Sequence, residues 1–171
     1  RAGNTLYMSG FASLDVETQQ ATHAGDLRKQ AEATYGAIAE TLAAEGFRMV
    51  LAARREYDAA ALTERSDGSA IYLRADVTDP ASLEKLAAAA FEHLGRIDAV
   101  VNLAGISPRK SIEDYTPADV DALLAVNVKG PIFVTQAFLP GLRKQAGGGV
   151  VVHLGGAMDG RVALPFMSAY A

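Results

Sequence analysis

The stretch AIYLRADVTDPASLEKLAAAAFEHLGRIDAVVNLAG, residues 70–105, decides the fold. Its first part is rich in apolar residues, as a buried strand is, and Asp79 and Pro80 then open a helix. The end of the stretch, IDAVVNLAG, is a second strand that runs into a glycine turn. Helical spacing predicts an inward face made of Leu83, Leu86, Ala87, Ala90, Phe91 and Leu94. This order predicts two parallel strands joined by a right-handed crossover.

The same alternation continues on both sides of this stretch. Before it, TLYMSGFA (residues 5–12) and FRMVLAAR (residues 47–54) have the composition of buried strands. Between them, Asp26 can cap a helix that Gly46 ends. The predicted apolar face of that helix consists of Leu27, Ala31, Ile38 and Leu42. After it come two helical segments, TPADVDALLAVNV and GPIFVTQAFLPGLRKQ, separated near Gly130 and Pro131, and a last strand, GVVVHLGG (residues 149–156).

This pattern predicts an α/β fold in one compact domain. Strands that alternate with helices form a parallel sheet, here of about five strands, with helices on both of its faces. The carboxyl ends of parallel strands meet at one edge of the sheet, and ligands of open α/β sheets bind beyond that edge. Candidate site residues are therefore sought where each strand ends.

The composition excludes several classes of function. The 171-residue chain has a net charge of −4, which argues against a nucleic-acid surface. It has no cysteine, and its three histidines, His23, His93 and His153, are not in metal-ligand spacing, so no metal site is expected. No apolar run reaches about 18 residues and no signal pattern opens the chain, so we expect no membrane span and a cytoplasmic location.

Charged side chains follow the second and third predicted strands. Arg54 and Arg55 stand where an acidic residue would bind a ribose 2′-hydroxyl, and they offer guanidinium groups to a 2′-phosphate. A solvated basic turn is the equally weighted alternative. After the third strand, Asp76 and Val77 follow, and the Asp76 carboxylate could bond an adenine or cap the next helix.

Small residues follow the fourth predicted strand. Asn102 can tie neighbouring strands together, and Ala104 and Gly105 let a flat cofactor approach the backbone. This motif alone is weak evidence for a cofactor site. Candidate sites at three successive strand ends are much stronger evidence for a ligand at this edge.

From about residue 47 to residue 171 the chain resembles a short-chain dehydrogenase/reductase. The resemblance is carried by VLAARR, RADVTDPASLEKL, GRIDAVVNLAGI, LLAVNVKGP, VTQAFLPGLRK and LPFMSAYA, in order and at family spacing. It implies a Rossmann-type fold and hydride transfer between a nicotinamide and a small alcohol or carbonyl substrate. It also implies that Asn127 belongs to the proton relay and that Tyr170 is the general acid/base.

The resemblance further implies how the cofactor is held. Asp76 with Val77, and Asn102 with Ala104 and Gly105, are the implied cofactor contacts. Arg54, in AAR without the acid that favours NAD, implies NADP. A homo-oligomer is compatible with the family, and neither nucleic acid nor membrane is an expected partner.

The sequence departs from the family pattern at several functional positions. The lysine one helical turn after Tyr170 would lie three positions beyond Ala171, so we expect a truncated domain. The substrate-binding serine, thirteen or fourteen positions before the tyrosine, is replaced by Ala157 or Gly156. Where the family has the glycines of its phosphate-binding turn, this sequence has Ala33 and Tyr35. We therefore expect weak NADP binding and impaired or absent turnover.

Residues 3–46 resemble a different family, the reactive-intermediate deaminases (YjgF-like). The resemblance rests on a strand ending at Ser9 and Gly10, on a D-x-x-T loop, and on GDLRKQ entering a long helix. We expect a fusion of residues 1–46 with a partial dehydrogenase domain, residues 47–171, joined between Thr34 and Phe47. The opening segment can supply the first strand and helix of the sheet. The alternative functions are an enamine or imine deaminase and a nonenzymatic remnant.

Overall fold

The computed structural model describes residues 4–8, 26–56, 58–108 and 110–155. Strands and helices alternate through these residues. The strands are β1 (Asn4–Met8), β2 (Arg48–Ala53), β3 (Ala70–Arg74), β4 (Ala99–Asn102) and β5 (Val150–His153). The helices are α1 (Leu27–Ala44), α2 (Ala59–Arg65), α3 (Pro80–Leu94), α4 (Pro117–Leu123) and α5 (Gly130–Lys144). A 3₁₀ turn (Ile112–Asp114) precedes α4, and a π-helical segment (Leu124–Lys129) joins α4 to α5.

The five strands form one parallel sheet in the order β3-β2-β1-β4-β5. In the middle of the sheet, Leu6 of β1 pairs with Val50 on one side and with Val100 on the other. The predicted α/β fold with about five parallel strands is therefore confirmed. The last residues of the predicted strand TLYMSGFA, from Ser9 onward, lie outside the described residues.

Helices cover both faces of the sheet, because successive side chains of a strand point to opposite sides. Met49 and Leu51 of β2 pack with α1 and α2 in one buried cluster. Val50 and Ala52 of the same strand pack with α3 and α5 in the other. The buried residues of α3 are Leu83, Leu86, Ala87, Ala90 and Leu94, and Phe91 packs against them partly buried. The predicted inward face of this helix is thus confirmed.

The predicted break near Gly130 and Pro131 is wrong, since α4, the π-helical segment and α5 form one continuous helical stretch. The Gly130 N–H donates to the carbonyl of Ala125, five residues earlier, and this wider turn lets the chain pass Pro131 without ending the helix. Gly130 packs closely against Val77: an added Cβ would lie 3.2 Å from Cγ2 of Val77, which would have to shift. A glycine–proline pair here therefore marks a close contact.

By length and composition, one helical stretch among the described residues, Pro117–Lys144, could cross a membrane. Within it, however, α5 places Val134, Phe138 and Leu142 in the core cluster that covers one face of the sheet. These contacts are those of a helix packed on a sheet.

Gly149→Ala is expected to lower the free energy of unfolding by about 1–3 kcal/mol, the usual cost of overpacking. An added Cβ would lie 2.8 Å from the carbonyl oxygen of Ile97 and 2.8 Å from Cδ2 of Leu142. The control is Gly155→Ala, where nothing lies within 4 Å of the new atom. Urea unfolding measures both variants, and equal midpoints would contradict the predicted clash.

Candidate active site

The register of the sheet brings the carboxyl ends of the strands to one edge. Met8 of β1 pairs with Asn102 of β4, which in turn pairs with His153 of β5. On the other side, Ala53 of β2 pairs with Arg74 of β3. Neighbouring strands lie about 4.8 Å apart. The segments that follow β2, β3 and β4 can therefore contact one elongated ligand.

Asn102 fixes the start of the loop after β4. Its side chain is 2% exposed, and its Oδ1 accepts a hydrogen bond from the backbone N–H of Ala104 at 3.1 Å. Its Nδ2 lies 3.3 Å from Nδ1 of His153 on β5. Asn102 thus ties β4 to β5, as its position predicted. Ala104 is half-buried and Gly105 is exposed, so the backbone of this loop is open to a ligand.

His153 lies at this edge although the sequence did not predict it as a site residue, because a single histidine is most often a surface or satisfied core group. Its Nε2 lies 2.9 Å from Oγ1 of Thr135 on α5, and that hydroxyl donates to the carbonyl of Pro131 at 2.9 Å. The Thr135 oxygen must therefore accept from Nε2–H, which leaves Nδ1 to accept from the Asn102 amide. Partial desolvation of the otherwise exposed ring lowers the pKa of His153, which favours this neutral form.

Asn127 closes the far end of the same loop. It lies in the π-helical segment, and its Oδ1 accepts from the backbone N–H of Ile106 at 2.9 Å. Its Nδ2 donates to the Ile106 carbonyl at 2.8 Å. A single side chain thus satisfies both backbone groups of Ile106. The π-helical turn positions Asn127 beside Gly105, whose added Cβ would meet Asn127 Oδ1 at 3.6 Å.

The segment between this loop and α4 is held by a charged pair. Nζ of Lys110 lies 2.7 Å from Oδ2 of Asp119, which also completes a capping box with Thr116 at the start of α4. The hydrogen bond from Lys110 and those from the hydroxyl and backbone of Thr116 hold the pKa of Asp119 well below its usual range. These contacts join the segment before α4 to the first turn of that helix.

Arg54 and Arg55 are exposed and follow β2 directly. Within the described residues neither forms a salt bridge, although Arg54 lies close enough to Asp76 to affect its ionisation. Their backbone carbonyls accept hydrogen bonds from Arg74 and Tyr72 of β3, respectively. Both sequence alternatives, a phosphate fork and a solvated turn, are compatible with two exposed guanidinium groups.

Asp76 does not cap α3, so that alternative is wrong. The cap is Asp79, whose carboxylate accepts from the N–H of Ala81 at 3.0 Å, since it immediately precedes the helix. Asp76 Oδ1 instead accepts from the hydroxyl and the N–H of Thr78, at 2.8 and 2.9 Å. Val77 is buried, and its side chain packs close to Gly130.

The pKa of Asp76 lies below its ordinary value as the net result of contributions that act in opposite directions. Desolvation, the largest of them, raises it, and the two hydrogen bonds from Thr78 together with the charges of Arg54 and Arg74 outweigh that effect. The carboxylate is therefore ionised at neutral pH. It lies beside the arginine turn as an acceptor for donors on a ligand.

Several predicted site residues lie outside the described residues: Ser9, Gly10, Gly156, Ala157 and Tyr170. The roles of Asn127 and Tyr170 in a proton relay therefore stay predictions. Over the described part of the chain, no group of three or more acidic, histidine or cysteine residues could hold a metal ion. The arrangement offers a cationic turn, a carboxylate, an open small-residue loop and an asparagine along one edge.

Comparison with known proteins identifies the family. The family model for short chain dehydrogenases matches residues 36–171. An uncharacterised oxidoreductase of Staphylococcus epidermidis is 36% identical over 115 residues, 67% of this chain and 50% of its own length. Among solved structures, the NADH-dependent reductase A1-R′ complexed with NAD has a TM-score of 0.74 at 20% identity and covers 99% of this chain and 66% of its own. An alcohol dehydrogenase of the archaeon Thermococcus sibiricus, complexed with 5-hydroxy-NADP, has a TM-score of 0.67 at 28% identity over 78% of this chain and 57% of its own.

The chain spans about half the length of the curated relatives it matches. The family match begins at residue 36, so the resemblance of residues 3–46 to the reactive-intermediate deaminases gains no support from it. The extent of the family match and the parallel sheet agree: the chain belongs to the short-chain dehydrogenase/reductase family of oxidoreductases.

Proposed function

We propose that this chain is an NADP-dependent oxidoreductase domain that acts on a small carbonyl or alcohol substrate. The observation that carries the proposal is the pair of exposed arginines, Arg54 and Arg55, on the same sheet edge as the open loop at Ala104 and Gly105. A guanidinium pair recognises a phosphomonoester better than it recognises a hydroxyl. The 2′-phosphate distinguishes NADP from NAD.

The described residues fit such a cofactor at two places. At one end, the donors of Arg54 and Arg55 have no salt-bridge partner among the described residues and can take a phosphate. At the other, the loop that Asn102 and Asn127 fix leaves its small residues open to a flat ring system. The positions predicted for the glycines of the phosphate-binding turn, Ala33 and Tyr35, lie inside α1. The segment between β1 and α1 lies outside the described residues.

When bound, a reduced nicotinamide supplies a hydride to a carbonyl carbon. The chain's own residues bind and orient the reactants: the arginines bind phosphate, and Asn127 holds the loop that borders the reacting ring. We propose Tyr170 as the group that gives a proton to the carbonyl oxygen. A free phenol has a pKa of about 10, so a nearby positive charge that lowers this pKa would favour the proton transfer.

NADPH is expected to bind at least about tenfold tighter than NADH, because one hydrogen bond between charged groups contributes about 1.5–3 kcal/mol. Absolute affinity is expected to be weak, with a Kd above about 100 μM, because the phosphate-binding turn departs from the family pattern. Isothermal titration of both nucleotides measures the ratio.

The double variant Arg54→Gln, Arg55→Gln tests the residues responsible for the ratio. It is expected to bring the two dissociation constants within about twofold of one another, since it removes both phosphate donors. The control is Arg143→Gln, an exposed arginine in the last turn of α5. Equal binding of NADPH and NADH by the unmodified chain would refute the NADP assignment.

A further inference from the structure

Two side chains of β3 grip the turn that carries Arg54 and Arg55. Tyr72 and Arg74 are two positions apart on the strand and so project to the same face of the sheet. Nε of Arg74 donates to the carbonyl of Arg54 at 3.0 Å. The hydroxyl of Tyr72 lies within hydrogen-bond distance of the carbonyls of Ala53 and Arg55.

The Tyr72 proton can be assigned to one of these two acceptors. A phenol has a single proton to donate. The Ala53 carbonyl already accepts from the backbone N–H of Ala75 at 3.0 Å, as the continuation of the β2–β3 ladder. The hydroxyl therefore donates to Arg55.

These bonds act where the sheet no longer supports the chain. β2 ends at Ala53, so the carbonyls of Arg54 and Arg55 lie beyond its last ladder pair. Two donors on consecutive carbonyls fix the orientation of both peptide groups. They thereby fix the directions in which the two arginine side chains leave the backbone. A recognition turn that is ordered before binding loses less entropy when the ligand arrives.

Tyr72 is itself held in place by packing against a buried residue. The ring of Tyr72 meets the ring of Tyr35 edge-on, with centroids 6.0 Å apart, and Tyr35 is buried in the cluster under α1. The charge of Arg74 acts on Asp76, as does that of Arg54. Arg74 thus has two effects: its Nε binds the Arg54 carbonyl, and its positive charge adds to that of Arg54 at this edge.

We propose that Tyr72 and Arg74 are positioning residues that set the preference of this site for a phosphorylated over an unphosphorylated nucleotide. The inference rests on the proposed function, because it needs Arg54 and Arg55 to bind the 2′-phosphate. It adds that the selectivity depends on the orientation of their turn, which β3 imposes. A purely structural role for the two residues would instead change the binding of both nucleotides equally.

The test compares four variants by the ratio of the NADH and NADPH dissociation constants, measured by isothermal titration up to millimolar nucleotide. Tyr72→Phe keeps the ring that contacts Tyr35 and removes only the hydroxyl group. Arg74→Met removes donor and charge but keeps an unbranched side chain. The matched control is Arg48→Met at the opposite end of β2, because Arg48 also donates to a backbone carbonyl, that of His93, at 2.7 Å.

The ratio is expected to fall about threefold or more in Tyr72→Phe and about tenfold in Arg74→Met, with NADH affinity unchanged within about twofold. Arg74→Lys is expected to restore part of the ratio, since it keeps the charge without the planar fork. Arg48→Met is expected to leave the ratio unchanged. Thermal unfolding of each variant reports its stability separately.

The outcomes separate the two proposals. If the unmodified chain does not prefer NADPH, both the proposed function and this inference fail. If it does prefer NADPH and Tyr72→Phe and Arg74→Met keep that preference, only the inference fails. An equal loss of affinity for both nucleotides also overturns it. Should Arg74→Met not fold, the result for Tyr72→Phe decides alone.

Discussion

Asn127→Leu is expected to weaken NADPH binding about tenfold or more and to lower the free energy of unfolding by about 1–3 kcal/mol. The Asn127 side chain accepts a hydrogen bond from the Ile106 N–H at 2.9 Å and donates one to the Ile106 carbonyl at 2.8 Å. Leucine has a similar size and makes neither bond. The N–H and the carbonyl of Ile106, both part-buried, would then lose their partner, and the loop through Ala104 and Gly105 would lose its far anchor.

Two variants make this prediction specific. Asn127→Asp keeps the acceptor for the Ile106 N–H but places a second acceptor against the Ile106 carbonyl, so we expect it to be at least as damaging as leucine near neutral pH. The control is Gln136→Leu, an exposed amide on α5. Titration calorimetry and urea unfolding measure the two effects. Normal NADPH affinity in Asn127→Leu would show that the loop does not need this anchor.

The fold was predictable because its signals are local. A buried parallel strand is a short apolar run, and a covering helix shows its inward face in residues such as Leu83 and Leu86. The missed helix α2 has only seven residues and a single buried side chain, Leu62, so it carries no periodic pattern. The first helix is confirmed between Asp26 and Gly46. Its predicted Ile38 and Leu42 are partly buried against a cluster that includes Tyr35 and Ala39, two buried residues that the pattern did not predict.

The candidate site was predictable only as far as topology places it. Parallel strands bring their carboxyl ends together, so the strand ends after Ala53, Arg74 and Asn102 had to share an edge. The side-chain contacts could not be read from the sequence, because they depend on register between strands. The pairing of Asn102 with His153 joins residues 51 positions apart. The π-helical segment at Asn127 depends on packing and has no sequence signal of comparable strength.

Phe138→Ala is expected to lower the free energy of unfolding by about 3–5 kcal/mol, a large share of the about 5–15 kcal/mol that holds a domain together. Phe138 is fully buried on α5, and its ring packs against that of Phe91 on α3, with centroids 6.4 Å apart. Truncation removes this contact and leaves a cavity between the two helices. Ile132→Ala on the same helix is the control, since Ile132 is 51% exposed and should cost about 1 kcal/mol or less.

The consequence of Phe138→Ala for the site follows from what α5 supports. The helix carries Thr135, which accepts from His153 and so takes part in the contacts that fix Asn102 at the edge of the sheet. Loosening α5 should therefore reduce NADPH affinity in the fraction that stays folded, whereas Gly155→Ala should leave it unchanged. The midpoints of urea unfolding, compared at equal m-value, measure the loss of stability. Titration with NADPH at a temperature where the variant is folded measures the loss of affinity. A variant that loses stability but keeps full affinity would show that the edge is ordered by the sheet alone.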